Sequence, residues 1–117
     1  MSALTALTPV GSEGTTRVRV QVPFDIRHSA DLRQEFVAML REGSGPVVVD
    51  LTASTVADQL GFATMLGVHA RAARAGRRLR YAGADARTTR LLRRAGLTRL
   101  LHEGEGVAAL EQDVAVS

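Results

Sequence analysis

The chain contains no cysteine, no lysine and no tryptophan, and aromatic residues make up only 3% of its 117 residues. The absence of cysteine excludes disulfide bonds, thiol catalysis and cysteine-based metal sites. Because aromatic side chains are few, we expect a core built from Val, Leu and Ala. All fifteen basic residues are arginine, a bias that GC-rich coding explains more simply than function does.

Long apolar runs are missing as well, and the amino end lacks the basic-then-apolar layout of a signal peptide. We therefore expect a cytoplasmic protein without membrane insertion. An apolar fraction of 45% beside 23% charged residues is typical of a globular chain. The length suits one domain with a real core, so we expect a single domain over residues 1–117, ordered over residues 3–114.

Positive charge is concentrated in one part of the chain. Ten of the fifteen arginines lie between Arg71 and Arg99, with Asp85 as the one acidic residue among them. Such a block can contact acidic protein, phosphate or nucleic acid, or form a solvated face whose stems cover apolar surface. Since no groove-reading element accompanies it, we expect no specific nucleic-acid binding.

Hydrophobic periodicity predicts an α/β fold. The expected strands cover residues 4–10, 16–22, 47–51 and 79–82, and residues 97–101 are expected to form a terminal strand or a strand-like link. The expected helices are one capped by Ser29 with an apolar stripe of Leu32, Phe36, Met39 and Leu40, one over residues 59–75, one capped by Asp85, and one over residues 107–114. We therefore predict a mixed β-sheet of about five strands, opened by an antiparallel hairpin, with about four α-helices.

The centre of the chain carries the most informative pattern. The apolar run from Val47 to Val49 has no alternation, which predicts a central strand that is covered on both faces and parallel to a neighbour. Asp58 is the predicted N-cap of the helix over residues 59–75, which Gly76 closes. A strand's carboxyl end thus precedes a helix amino end, where α/β folds usually place function.

Residues 50–62, D-L-T-A-S-T-V-A-D-Q-L-G-F, resemble the central motif of the STAS family of anti-sigma factor antagonist domains. The segments V-P-F-D-I (22–26), A-G-R-R-L (75–79) and R-T-T-R-L-L-R-R-A-G-L (87–97) are similar to further family segments, in the same order. The resemblance covers nearly the whole chain. It implies a STAS-like domain that binds an anti-sigma factor or a kinase-like switch protein.

The same resemblance implies where the partner binds. In the family the second serine of a D-S-S-G-L motif is usually phosphorylated, whereas here Leu60 holds its position and Gln59 that of the first serine. Leu60 is either an apolar anchor that phosphorylation cannot switch, part of a decayed site, or a core residue folded onto the sheet. The residues implied in partner binding are Asp25, Asp58, Gln59, Leu60, Gly61 and Phe62.

Hydroxyl groups in the preceding loop offer a substitute for the missing serine. Thr52, Ser54 and Thr55 can accept phosphate, although loop hydroxyls more often make local turn hydrogen bonds. Of these, Ser54 and Thr55 are the candidates for a displaced phosphorylation site.

Other site chemistries have weaker support in the sequence. Asp25, Asp50 and Asp58 each follow an apolar run, so their carboxylates can meet at one end of the sheet and bind Mg²⁺. No lysine and no glycine-rich phosphate loop accompanies them, and the three histidines are scattered. We therefore expect no metal, no cofactor and no catalytic residues.

Three kinds of function remain open at this point. The first is a protein-binding regulator of the anti-sigma factor antagonist type, present as a monomer or weak homodimer. The second is a STAS scaffold subunit of a larger stress-signalling or lipid-transport complex. The third is a small-molecule or nucleotide-binding domain.

Overall fold

The computed structural model describes residues 2–8 and 14–102, which form a mixed four-stranded sheet and three α-helices. No helix among these residues is both long enough and apolar enough to cross a membrane. In chain order the elements are β1 (Leu4–Ala6), β2 (Thr16–Val20), α1 (Ser29–Arg41), β3 (Val47–Asp50), α2 (Gln59–Arg74), β4 (Leu79–Ala82), α3 (Ala86–Arg94) and a 3₁₀ turn (Thr98–Leu100).

The strands lie in the order β1-β2-β3-β4. β1 pairs antiparallel with β2, which confirms the opening hairpin, while β3 is parallel to both β2 and β4. All four residues of β3 are buried, as predicted for a central strand. Since parallel crossovers are right-handed and both step the same way across the sheet, α1 and α2 pack on the same face.

The core fills the space between this face of the sheet and the helices. Leu32, Phe36 and Leu40 of α1 are buried, which confirms the apolar stripe read from their spacing. Tyr81 of β4 is also fully buried, and its hydroxyl donates to the Met65 carbonyl at 2.9 Å. Burial raises the pKa of Tyr81, so this hydroxyl remains a hydrogen-bond donor.

Of the two alternatives for residues 97–101, the fifth strand is wrong, because a 3₁₀ turn at Thr98–Leu100 takes its place. Gly96, with φ 72°, turns the chain out of α3, a conformation that glycine adopts without strain. The Leu100 amide then donates to the Leu97 carbonyl at 2.9 Å. The backbone makes local hydrogen bonds instead of a ladder, and only Leu101 bridges to Tyr81.

Several predicted boundaries also differ from the structure. β1 ends at Ala6 and β2 at Val20, so both strands are shorter than predicted. Ser29 is the first residue of α1 and not its cap, because its hydroxyl points inward and donates to the Asp25 carbonyl at 2.7 Å. The helix predicted over residues 107–114 lies outside the described residues.

A buried arginine fastens the end of α1 to the sheet. Arg77 is only 4% exposed, and no carboxylate of the described residues lies within ion-pair distance of it. Its guanidinium donates to the Leu40 carbonyl at 3.2 Å, the Gly45 carbonyl at 2.9 Å and the Thr16 hydroxyl at 2.8 Å. Burial lowers the pKa of Arg77, but arginine titrates so far above neutrality that it stays charged.

Replacement of Arg77 by methionine should therefore destabilise the fold. Arg77→Met leaves the carbonyls at the end of α1 buried without donors, and we expect the free energy of unfolding to fall by about 3 kcal/mol. Arg78→Met is the matched control, because the neighbouring arginine is exposed and should change stability by less than about 0.5 kcal/mol. Urea unfolding measures both. Equal stability of the two variants would contradict a structural role for Arg77.

Candidate functional site

The carboxylate of Asp58 joins the start of α2 to the loop that follows β2. One of its oxygens accepts a hydrogen bond from the Gly61 amide at 2.7 Å, and the other accepts one from the Ile26 amide at 2.9 Å. The first bond confirms Asp58 as the predicted N-cap. The second was not predicted, because it joins residues 32 positions apart and leaves no local pattern in the sequence.

The same loop is held against the helix by its backbone. Phe24 donates its amide proton to the Thr55 carbonyl at 2.8 Å and accepts one from the Ala57 amide at 3.0 Å. Its buried ring stacks on Phe36, with 6.5 Å between ring centroids. A Cβ atom on Gly61 would overlap the Phe24 carbonyl oxygen. The helix and the loop approach each other so closely only because residue 61 is glycine.

Asp25 shapes this loop from the inside. Its side chain is buried, and one carboxylate oxygen lies 3.0 Å from the His28 amide and 2.7 Å from the His28 Nδ1 atom. Burial alone would raise the pKa of Asp25, but the hydrogen bonds from His28 outweigh it, so the pKa lies below its usual value. Asp25 therefore holds the loop in place, and its carboxylate is not turned toward solvent.

Two apolar side chains are exposed to solvent where the loop after β2 contacts the start of α2. Leu60 is 44% exposed and Ile26 is 69% exposed, and the neighbouring Gln59 is exposed as well. We call the side chains of Ile26, Gln59 and Leu60 the α2-start surface. Among the described residues the other exposed large apolar side chain is Leu7, which follows β1 and donates its amide to the Arg17 carbonyl near the start of β2.

The structure separates the six residues that the sequence singled out. Gln59 and Leu60 reach solvent, Asp58 and Phe62 are half-buried, and Asp25 and Gly61 are buried. The interpretation of Leu60 as a core residue is therefore wrong. Sequence reasoning pointed to the loop after Phe24 but missed Ile26 as an exposed residue. The available signal was an isoleucine set between the charged residues Asp25 and Arg27.

Ser54 and Thr55, the two candidates for a displaced phosphorylation site, lie against other polar groups of the domain. Ser54 donates to the Val22 carbonyl at 2.7 Å, and the Thr55 side chain interacts with the Asp85 carboxyl and favours its charged form. Both residues are half-buried. A phosphate on Ser54 would break its hydrogen bond, and one on Thr55 would bring negative charge close to the Asp85 carboxyl, so substitute phosphorylation stays a prediction that this geometry does not favour.

The three aspartates considered for a metal site have different hydrogen-bond partners. Asp50 accepts from the Arg19 guanidinium at 2.8 Å and from the Thr52 amide at 2.9 Å, while Asp25 and Asp58 hold the loop and the helix start. Within residues 2–8 and 14–102, no group of three or more His, Asp and Glu side chains is placed to bind a metal ion.

Comparison with known proteins places this geometry in a family. A family model described as the Mlab STAS domain matches residues 8–102. The chain belongs to the STAS domain family. Its fold is similar to the solved structure of the anti-sigma factor antagonist SpoIIAA in its unphosphorylated form, with a TM-score of 0.68 and 14% identity over 98% of this chain and 99% of that chain. No curated protein matches the sequence.

These matches confirm the resemblance read from the central motif and the STAS-like α/β fold. At 14% identity the structural likeness establishes the fold and leaves partner and regulation to be argued from the residues of this STAS domain.

Gly61→Ala tests the close approach that forms the site. The added methyl group would displace the Phe24 backbone, and we expect a loss of about 3 kcal/mol in the free energy of unfolding. Gly67→Ala is the matched control in the same helix, because its Cβ meets no atom within 4 Å. It should stabilise the protein by about 0.5–1 kcal/mol through helix propensity. Urea unfolding gives the free energy of unfolding of both variants. If Gly61→Ala left this free energy unchanged, the close contact between Gly61 and the Phe24 backbone would be contradicted.

Proposed function

We propose that this STAS domain is a non-enzymatic regulatory module that binds an anti-sigma factor or a related switch protein through the α2-start surface. The observation that carries the proposal is the exposure of Leu60 and Ile26 on either side of one carboxylate, that of Asp58. Exposed apolar side chains gathered at one place favour protein contact, because burying them against a partner removes them from water.

The backbone beneath this surface supports the proposal. The Asp58 carboxylate joins the loop to the helix by two hydrogen bonds. Because Gly61 has no side chain, the two segments can pack directly against each other. A surface that is fixed before binding loses little conformational freedom on binding. Gln59 adds an amide that can donate and accept hydrogen bonds beside the apolar contact.

The residues at the two serine positions decide how this contact is regulated. Neither Gln59 nor Leu60 has a hydroxyl group, so neither can take a phosphate. We propose that the domain binds its partner without phosphorylation at the position that the family resemblance marks as the switch. A leucine there offers apolar surface in its place.

The missing hydroxyl also favours a second candidate function. A contact without a phosphorylation switch suits a scaffold subunit of a larger stress-signalling or lipid-transport complex, in which the partner stays bound. The two candidate functions differ in how readily the domain dissociates from its partner. A regulator should dissociate from its partner during gel filtration at low concentration, whereas a subunit should remain in a stoichiometric complex.

Leu60→Asp is expected to abolish most of the partner affinity and to leave the fold intact. A carboxylate in a desolvated contact should weaken binding by about 2 kcal/mol or more, roughly 30-fold. Because Leu60 is 44% exposed, the thermal midpoint should change little. A pull-down from native cells with the wild-type protein identifies the partner, and titration of that partner against each variant gives the affinities.

Leu7→Asp is the matched control, since it places the same charge on an exposed leucine near the start of β2, whereas Ile26 lies in the loop after the end of that strand. It should bind the partner like the wild type. Incubation of the complex with MgATP should leave no phosphate on residues 59–61, as peptide mapping will show. Equal binding by Leu60→Asp and Leu7→Asp, or a large loss of stability in Leu60→Asp, would refute the proposed surface.

A further inference from the structure

A groove lies at the end of α2 opposite to the α2-start surface. It has a volume of about 470 Å³, which is in the range of small-molecule sites. α2 has 16 residues and is therefore about 24 Å long, so the two places are well separated. The groove is lined by the last turns of α1 and α2, through Val37, Leu40, Arg41, Arg71, Arg74 and Ala75.

Three of the residues that line this groove are arginines. Arg41 comes from α1, and Arg71 and Arg74 come from α2. Among residues 2–8 and 14–102, no carboxylate pairs with any of these side chains; the ion pairs present are Arg19 with Asp50 and His28 with Asp25. Their donors are therefore available to a ligand.

Helix dipoles account for only part of this charge. The carboxyl end of each helix carries roughly −0.5 of an elementary charge, so the two ends offset about one of the three arginines. Buried Arg77, which donates to the Met39 and Leu40 carbonyls, adds a further positive charge near the end of α1. Val37, Leu40 and Ala75 form the apolar part of the lining, and low-dielectric walls of this kind strengthen the field of neighbouring charges.

We propose that this groove binds a small phosphorylated molecule that carries at least two phosphate groups. Each guanidinium presents a planar fork of N–H donors that matches two phosphate oxygens. Three arginine side chains around one groove match the concentrated charge of a diphosphate better than they match the dispersed carboxylates of an acidic peptide. The apolar wall accepts the uncharged part of the ligand.

Inorganic pyrophosphate is the probe, titrated by calorimetry into the whole protein at about 150 mM NaCl, where exposed charges are largely screened. We expect saturable binding of one equivalent. Arg71→Gln and Arg74→Gln should each weaken it about tenfold, since each removes charge-assisted hydrogen bonds. Arg93→Gln and Arg94→Gln are the controls, because these arginines stand in the last turn of α3, away from the groove, and should leave binding unchanged.

Three further titrations separate the alternatives. Succinate, which is a dianion without phosphate, should bind more weakly than pyrophosphate, and Leu60→Asp should bind pyrophosphate like the wild type. Non-saturable binding, or equal losses in the groove and α3 variants, would overturn the proposal in favour of diffuse attraction to the arginine block. A poly-glutamate peptide that binds when pyrophosphate does not would overturn it in favour of a protein-docking groove.

Discussion

The carboxylate of Asp58 accepts one hydrogen bond from the first turn of α2 and one from the loop after β2, at 2.7 Å and 2.9 Å. These two bonds hold together segments that are far apart in sequence. The contact leaves no room for a side chain at position 61, where a Cβ atom would overlap the Phe24 carbonyl oxygen. Asp58 and Gly61 therefore act as one constraint on the backbone.

This constraint determines which side chains face solvent. With the helix start fixed, Phe24 turns into the core, Asp25 turns toward His28, and Leu60 and Ile26 stand outside. A helix start with free amides favours anions, but here the Asp58 carboxylate already accepts from the Gly61 amide, and Leu60 beside it is exposed. The two ends of α2 then differ in chemistry: its start presents apolar side chains, and its end presents arginines.

Much of this arrangement could be predicted from local patterns. The run from Val47 to Val49 indicated a central strand, and Asp58 before an apolar periodic segment indicated a helix cap. Family membership followed from the order of four short segments. Local patterns failed where long-range contacts decide the outcome. Arg77 looked like one more surface arginine, yet its guanidinium is buried by partners 32 to 61 residues away.

Amide hydrogen exchange at Ile26 and Gly61 tests the role of Asp58 most directly. Both amides should be protected in the wild type, and Asp58→Ala should accelerate the exchange of both by about tenfold or more, because each loses a charge-assisted hydrogen bond. The Thr88 amide, which donates to Asp85 at 2.8 Å, should be unaffected. If Ile26 kept its protection in Asp58→Ala, the carboxylate would not be what holds the loop, and the central claim would be wrong.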